Sequence, residues 1–477
     1  MISYFKNIAF LLLSLFLCVS FSDASAQQWV NIIQSDSLQG FSTDEGEVRK
    51  LFGNVKLETE DFTVLCDTAW HYRDIDELRA SGNVEITTGD GDRIWADKAF
   101  YDLETEFSEF ESRVILRSDH TTLFSEYLGY DFNTEVAEFP LPLRMEDDDG
   151  LLKAREGTYY NEPDSAVFFG DVQVEDSTQY IEADSMFTIR EDEYYELHGQ
   201  VFLHDLENLV RLTGNFVEAD STGYRKIEGE SRMRRLSEDL QDTTYVWADR
   251  MDVWDHDTTH VFEGFDEVHI WTGNYSSLSD TAHYDDNTEL FELTGSPRAW
   301  RENLQLTGPL IEIQLEDDEV TSLYSYIDPF SVEKDPHTGR FNQLTGDTLF
   351  INFDEGELDY IEVWENARMF YHNKDEDNNP DGATEMDTPY LRVTFRYGDI
   401  YRLDAKGQSP GKVYQESEEI ADERLSGFVW EPELRPEKPE TDLERRLPPI
   451  PTERPFEYPP RFETFLEEIV MLPVIQP

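Results

Sequence analysis

A phrase that recurs at intervals of about thirty residues constrains this chain more than any other feature. Its clearest copy reads Gly82-Asn83-Val84-Glu85-Ile86, a polar turn, then Ile94-Trp95-Ala96-Asp97-Lys98-Ala99-Phe100-Tyr101-Asp102. An earlier copy pairs Gly53-Asn54-Val55-Lys56-Leu57 with Val64-Leu65-Cys66-Asp67-Thr68-Ala69-Trp70-His71-Tyr72. Later copies are Gly170-Asp171-Val172-Gln173-Val174 with Ile181-Glu182-Ala183-Asp184, and Gly199-Gln200-Val201-Phe202-Leu203. Gly53 and Gly82 lie 29 residues apart, as do Gly170 and Gly199. A fixed period of this length marks a stacked architecture, because one such unit cannot bury its apolar face alone.

Within each copy the aliphatic residues stand two apart, as in Val55/Leu57, Val84/Ile86, Val172/Val174, Val201/Leu203 and Val268/Ile270. That spacing puts both on one face of a strand. Turn-forming stretches separate the strands: Thr88-Gly89-Asp90-Gly91-Asp92, Asp147-Asp148-Asp149-Gly150, Asp285-Asp286-Asn287. From about Trp29 to Tyr414 the chain therefore reads as all-β, with almost nothing helical. Leu212-Thr213-Gly214, Leu293-Thr294-Gly295, Leu306-Thr307-Gly308 and Leu344-Thr345-Gly346 look like four echoes of one bend. The aspartates Asp67, Asp97, Asp184 and Asp249 recur at equivalent positions, which points to a hydrogen-bonded bend and not to catalysis.

Lys6, the apolar run 8–21 and Ala24-Ser25-Ala26 read as a secretory signal peptide over residues 1–26. Cys66 is then the one cysteine left, so an exported chain of this length must rest on its core. The formal charge of −64 excludes nucleic acid as a partner, since phosphate binding needs an excess of Lys and Arg. An acidic excess with few lysines suits a salty habitat, where self-repulsion is screened. Disorder, the other reading of such charge, conflicts with 39% hydrophobic and 13% aromatic residues interleaved with the acids.

The glycine-asparagine-valine phrase, its alternating aliphatics and the Ala-Asp and Tyr-Asp that follow resemble the OstA-like repeat of lipopolysaccharide-transport proteins. The copies that carry the resemblance run from Gly53 to Tyr72, Gly82 to Asp102 and Gly170 to Asp184. The resemblance covers about residues 45–300 and fades towards 415. It implies an OstA-like β-jellyroll of stacked short antiparallel strands forming an open trough. It further implies a non-enzymatic protein, free in the periplasm or peripheral to the outer membrane, that shields lipid A acyl chains of lipopolysaccharide between the inner and outer membranes. Its partners would be other jellyroll transport proteins, joined by edge-to-edge strand addition. The long tract of alternating strands that a transmembrane barrel needs is missing.

On this reading the residues that line the lipid path are Val55, Leu57, Val84, Ile86, Val172, Val174, Val201, Leu203, Val268 and Ile270; a dry sandwich core is the other role open to them. Hiding one chain of about 12 carbons is worth on the order of 10 kcal/mol, at about 0.8 kcal/mol per CH₂. The anionic sugar-phosphate part of such a lipid has to stay outside the trough, with divalent cations between it and the acidic surface.

No cofactor and no metal site is expected. Asp377-Asn378-Asn379-Pro380-Asp381-Gly382 matches the first half of a calcium loop, but Thr388 stands at the twelfth position, with Asp387 beside it. His256 and His260 with Asp255 and Asp257 fall in a turn, where a spacing of four does not converge on a metal. Two other functions remain: a structural or adhesive β-scaffold without lipid, and an extracellular carbohydrate-active enzyme on a β-solenoid, which paired carboxylates would serve.

The expected organisation is signal peptide 1–26, jellyroll repeats 27–160, further repeats 161–300, a divergent β continuation 301–416 and a proline-rich tail 417–477. Eleven of the 21 prolines lie in residues 431–477, which suggests an extended, partly disordered linker. Phe462, Phe465, Leu466, Ile469 and Val470 would form one face of a short helix. Such a helix could dock on a partner, cap the open end of the array, or pack on its own domain.

Overall fold

The bend of each outbound strand is made by the Gly-Asn pair. In the strand Glu77–Thr88, Gly82 (φ 81°) and Asn83 (φ 46°) are both left-handed. Ser81 pairs with Lys98 and Val84 with Ala96, so Gly82 and Asn83 together face Asp97 alone. This is a bulge, which bends and twists the strand that carries it. On the other side Asp67 takes the same place, and Asn83 Nδ2 donates to its Oδ2 at 2.8 Å. The arrangement repeats along the chain. Asn54 Nδ2 donates to Asp36 at 3.2 Å, Arg113 Nε to Asp97 at 3.1 Å, and Asn366 Nδ2 to Asp347 at 3.0 Å. At Gly170-Asp171 the charges are exchanged, and Arg155 of the returning strand pairs with Asp171. The recurring Asp67, Asp97 and Asp184 are thus bend residues, each set against the left-handed pair of a neighbouring strand.

The computed structural model describes residues 30–439 and Leu443, apart from 60–61, 90, 119–120, 147–149, 191, 207, 238–242, 257–258, 317–318 and 398. The expected signal peptide and the helix face at 462–470 lie outside the described residues. Thirty-two strands from Asn31 to Tyr414 form one antiparallel sheet. Each bent strand pairs with the one before and the one after it. The segments before the outbound bends make a first arm (77–81, for example), and those after them a second arm (84–88). Where the bend is wider, one bent strand is recorded as two short ones, such as Val136–Phe139 and Leu143–Glu146 on either side of Pro140-Leu141-Pro142. The four Leu-Thr-Gly phrases all sit where the chain passes between arms.

Alternate side chains of both arms face one interior, and a single apolar cluster runs from Leu51 to Phe395. The result is an all-β jellyroll trough: two facing half-sheets joined along the line of bends. The ladder crosses both expected boundaries without a gap. Glu156–Tyr160 pairs with Ser165–Asp176, and Arg298–Arg301 with Leu304–Thr307. Among the described residues no helix is long and apolar enough to cross a membrane.

Over residues 415–439 the chain departs from the expected linker. It turns back as a strap across the outer face of the second arm. Leu425 packs among Phe330, Val332, Phe370 and Ala383, with Phe341, Phe428 and Trp430 around them. Two buried glutamines grip the strap backbone. Gln343 accepts from Leu425 N at 2.8 Å and donates to Glu423 O at 3.1 Å. Gln305 accepts from Glu431 N at 2.9 Å and donates to Val429 O at 3.0 Å. Proline-rich chain cannot add a continuous strand, and these side-chain amides supply the hydrogen bonds that a neighbouring strand would otherwise make.

Candidate functional site

The interior is filled unevenly. Near the N-terminal half it opens into a cavity of about 710 Å³ lined by Ile94, Leu116, Leu123, Phe139, Val174 and Met186 among others. A second cavity, of about 350 Å³, is lined by Leu203, Leu212, Phe262, Ile270, Phe291 and Ile313 among others. Both volumes fall in the range of ligand pockets, roughly 300–1,000 Å³. In the C-terminal third the space between Leu304, Leu344 and Val393 is about 20 Å³, and the arms pack shut.

The aliphatic residues named from sequence all lie in this interior. Val55, Leu57, Val84, Ile86, Val172, Val201, Leu203, Val268 and Ile270 are at most 2% exposed, and Val174 is partly buried. Only Val174, Leu203 and Ile270 line a cavity. Val55, Val84, Val172, Val201 and Val268 directly follow the bends, where the two arms converge and side chains fill the gap.

Three arginines reach from one arm to the other. Arg190, at the end of the first arm, donates to Thr121 at the end of the second at 3.1 Å, over the larger cavity. Arg225 of the first arm lies 3.8 Å from Asp205 of the second and 3.5 Å from Asp255 of its own. Arg301 of the second arm donates to the Gly356 carbonyl and stacks 4.1 Å from the Phe353 ring centroid. The partly buried Tyr195 is hydrogen-bonded to Arg225 and close to Asp176, which lines the larger cavity, and Asp205, which lines the smaller. Burial is the first cause that pushes the phenols of Tyr159, Tyr195 and Tyr275 above their ordinary range. All three stay neutral at physiological pH.

These arginines and the aromatic lining were not among the residues named from sequence. Alternation offered one signal, because Arg225 stands two residues from the inward Ile227 and shares its face.

The positions weighed for metals have structural partners. Asp375 Oδ1 accepts from the backbone of Asp377 at 2.9 Å and of Asn379 at 2.8 Å, which closes the 375–379 turn. His260 Nδ1 lies 2.6 Å from Asp255, and its Nε2 lies 3.8 Å from Asp286, at the edge of the smaller cavity. Among the described residues no group of three or more His, Cys, Asp or Glu is placed to hold a metal ion. Cys66 is buried, its thiol donating to the Thr68 carbonyl at 3.4 Å.

Fold and interior together define an all-β jellyroll with an apolar, partly hollow space between two half-sheets. The OstA-like protein family matches residues 27–184, and over that stretch the chain is OstA-like. That family is associated in general with lipid and lipopolysaccharide transport in the cell envelope. No curated protein matches the chain.

Proposed function

We propose that this chain shields the acyl chains of lipopolysaccharide in its trough as the lipid passes between the inner and outer membranes, without catalysing a reaction. The observation that carries this reading is the continuous apolar interior opening into cavities of about 710 and 350 Å³. Acyl chains need shelter of no exact shape, and rungs of similar lining let them slide. The rim of the larger cavity holds Asp92, Glu135 and Asp176 beside Arg190, so the anionic headgroup stays outside, bridged by divalent cations.

The protein works in the periplasm, alongside other jellyroll transport components joined edge to edge. In support, the edge strand Ser37–Thr43 pairs on one side only among the described residues, and Leu38 and Phe41 are exposed. A structural scaffold is the second reading, favoured by the closed C-terminal third.

The test is a photocrosslinking amino acid at Leu123 or Met186 in cells, with Val413 on the exposed edge as control. Capture of lipopolysaccharide from the cavity positions and not from Val413 is expected. No capture from either cavity position refutes the conduit.

A further inference from the structure

The strap does not stop at the glutamine clamps. Arg298 pairs with Glu431. Arg435 donates to Ser276 Oγ at 3.0 Å and to Glu302 O at 2.8 Å. Lys438 Nζ lies 5.5 Å over the Tyr245 ring. Leu443 is fully buried among Tyr180, Phe202 and Tyr245, and Arg211 donates to its carbonyl at 2.7 Å. Between Glu423 and Leu443 the strap has therefore crossed the outer face from the strand Phe341–Thr345 to the strand Gln179–Ile189, always towards the N-terminal edge.

The outward row it is following continues. From Phe202 the cross-strand partners run through Glu182, Gln173, Lys153, Arg144, Phe124 and Ile115 to Trp95. The last three face outwards, since Ile94, Ala96, Val114 and Leu123 beside them belong to the interior cluster. They are nonetheless only 4% (Trp95), 5% (Ile115) and 3% (Phe124) exposed. Two cations, Arg144 and Lys153, stand between them and the part of the row the strap already occupies. Arg144 also pairs with Glu146 of its own strand.

We propose that this row seats residues 444–477 of the same chain, so that the strap runs on along the second arm to Trp95. Three observations select this occupant. The row is continuous with the seat of Leu443. The stretch 456–465 interleaves aromatics and acids, Phe456, Glu457, Tyr458, Phe462, Glu463 and Phe465, with Arg461 its one cation, and so suits a row of apolar Trp95, Ile115 and Phe124 beside Arg144 and Lys153. The span also suits: seven strand spacings of about 4.8 Å make roughly 34 Å, or about ten extended residues, within the reach of the 13 residues from Leu443 to Phe456. Fully seated, the strap ties rungs of the second arm from one end of the array to the other. None of this depends on what the trough carries.

The full-length protein tests it. A photocrosslinking amino acid is placed at Ile115 in one variant and at Lys153, a more exposed position, in a second, in an equal mixture of isotope-labelled and unlabelled protein. Crosslinks from at least one site to peptides of 444–477, each joining label to label or unlabelled to unlabelled, are expected. Mixed-label crosslinks overturn the proposal in favour of a strap exchanged between copies. Crosslinks from both sites only to other proteins, only to residues 30–443, or to nothing overturn it outright.

Discussion

Gly82→Ala tests the reasoning from the bend. A methyl group at Gly82 would sit 2.7 Å from Asp67 Oδ2 and 2.9 Å from Asp67 Cβ, inside contact distance. The left-handed backbone adds a second penalty, about 1–2 kcal/mol for any residue with a Cβ. Displacing Asp67 also weakens its bond to Asn83, an exposed contact worth about 0.5–1 kcal/mol. Together these make a loss of about 2–3 kcal/mol. The loss should be local, because a rung of a stacked array answers mainly to its neighbours. Native-state hydrogen exchange of the amides of residues 77–88 in the full chain is therefore the assay. In an Asp67→Gly background the collision disappears, and Gly82→Ala should cost only the backbone penalty, an interaction of about 1 kcal/mol between the two sites. Equal losses in both backgrounds, or a loss below about 0.5 kcal/mol in the native one, would refute the idea that close approach of strand and aspartate shapes the bend.

Other expectations follow from the same geometry. Ser112 occupies the place of Gly82 one unit later at φ 65°, so Ser112→Gly should stabilise its rung by about 1 kcal/mol, read by the exchange of residues 107–117. Gln305→Ala leaves Val429 O, Glu431 N and Trp300 Nε1 without their shared partner and should loosen the strap by about 2–4 kcal/mol. Faster proteolysis between 425 and 435 is the readout, and an unchanged rate would count against the clamp. His372 is 2% exposed, and burial, followed by Arg340, lowers its pKa from 6.5 to about 4. Its neutral form is the one the fold accepts. The contribution is therefore intact above pH 6.5 and lost as pH falls towards 4, with a drop of about 1–2 kcal/mol by pH 5 after screening. The difference in urea midpoint between pH 7 and pH 5 should shrink in His372→Phe; an equal difference in both proteins would sink the assignment.

The bends were legible because their chemistry is local. A left-handed pair, the aspartate set against it and the spacing of two that follows all lie within a few tens of residues, and together they dictate a stacked antiparallel ladder. The same rules gave the direction in which Val84 and Ile86 point, but not what they meet. Whether an inward aliphatic packs at the crease, as Val84 does, or borders open space, as Val174 does, depends on how far apart the arms stand at that rung. No local pattern encodes that distance. The strap at 415–439 differs from the expected linker for a related reason: its prolines disfavour a continuous strand, and composition alone cannot reveal that Gln343 and Gln305 stand on a distant face to bond its backbone.

By itself, then, the sequence determined a long repeat of bent strands with one apolar and one polar face, because period-two alternation and positive-φ chemistry act between near neighbours. Tertiary structure alone decided where the trough is hollow, which arginines span it and what covers its outer face. These depend on contacts between residues as far apart as Arg211 and Leu443, 232 positions apart, which no local pattern brings together.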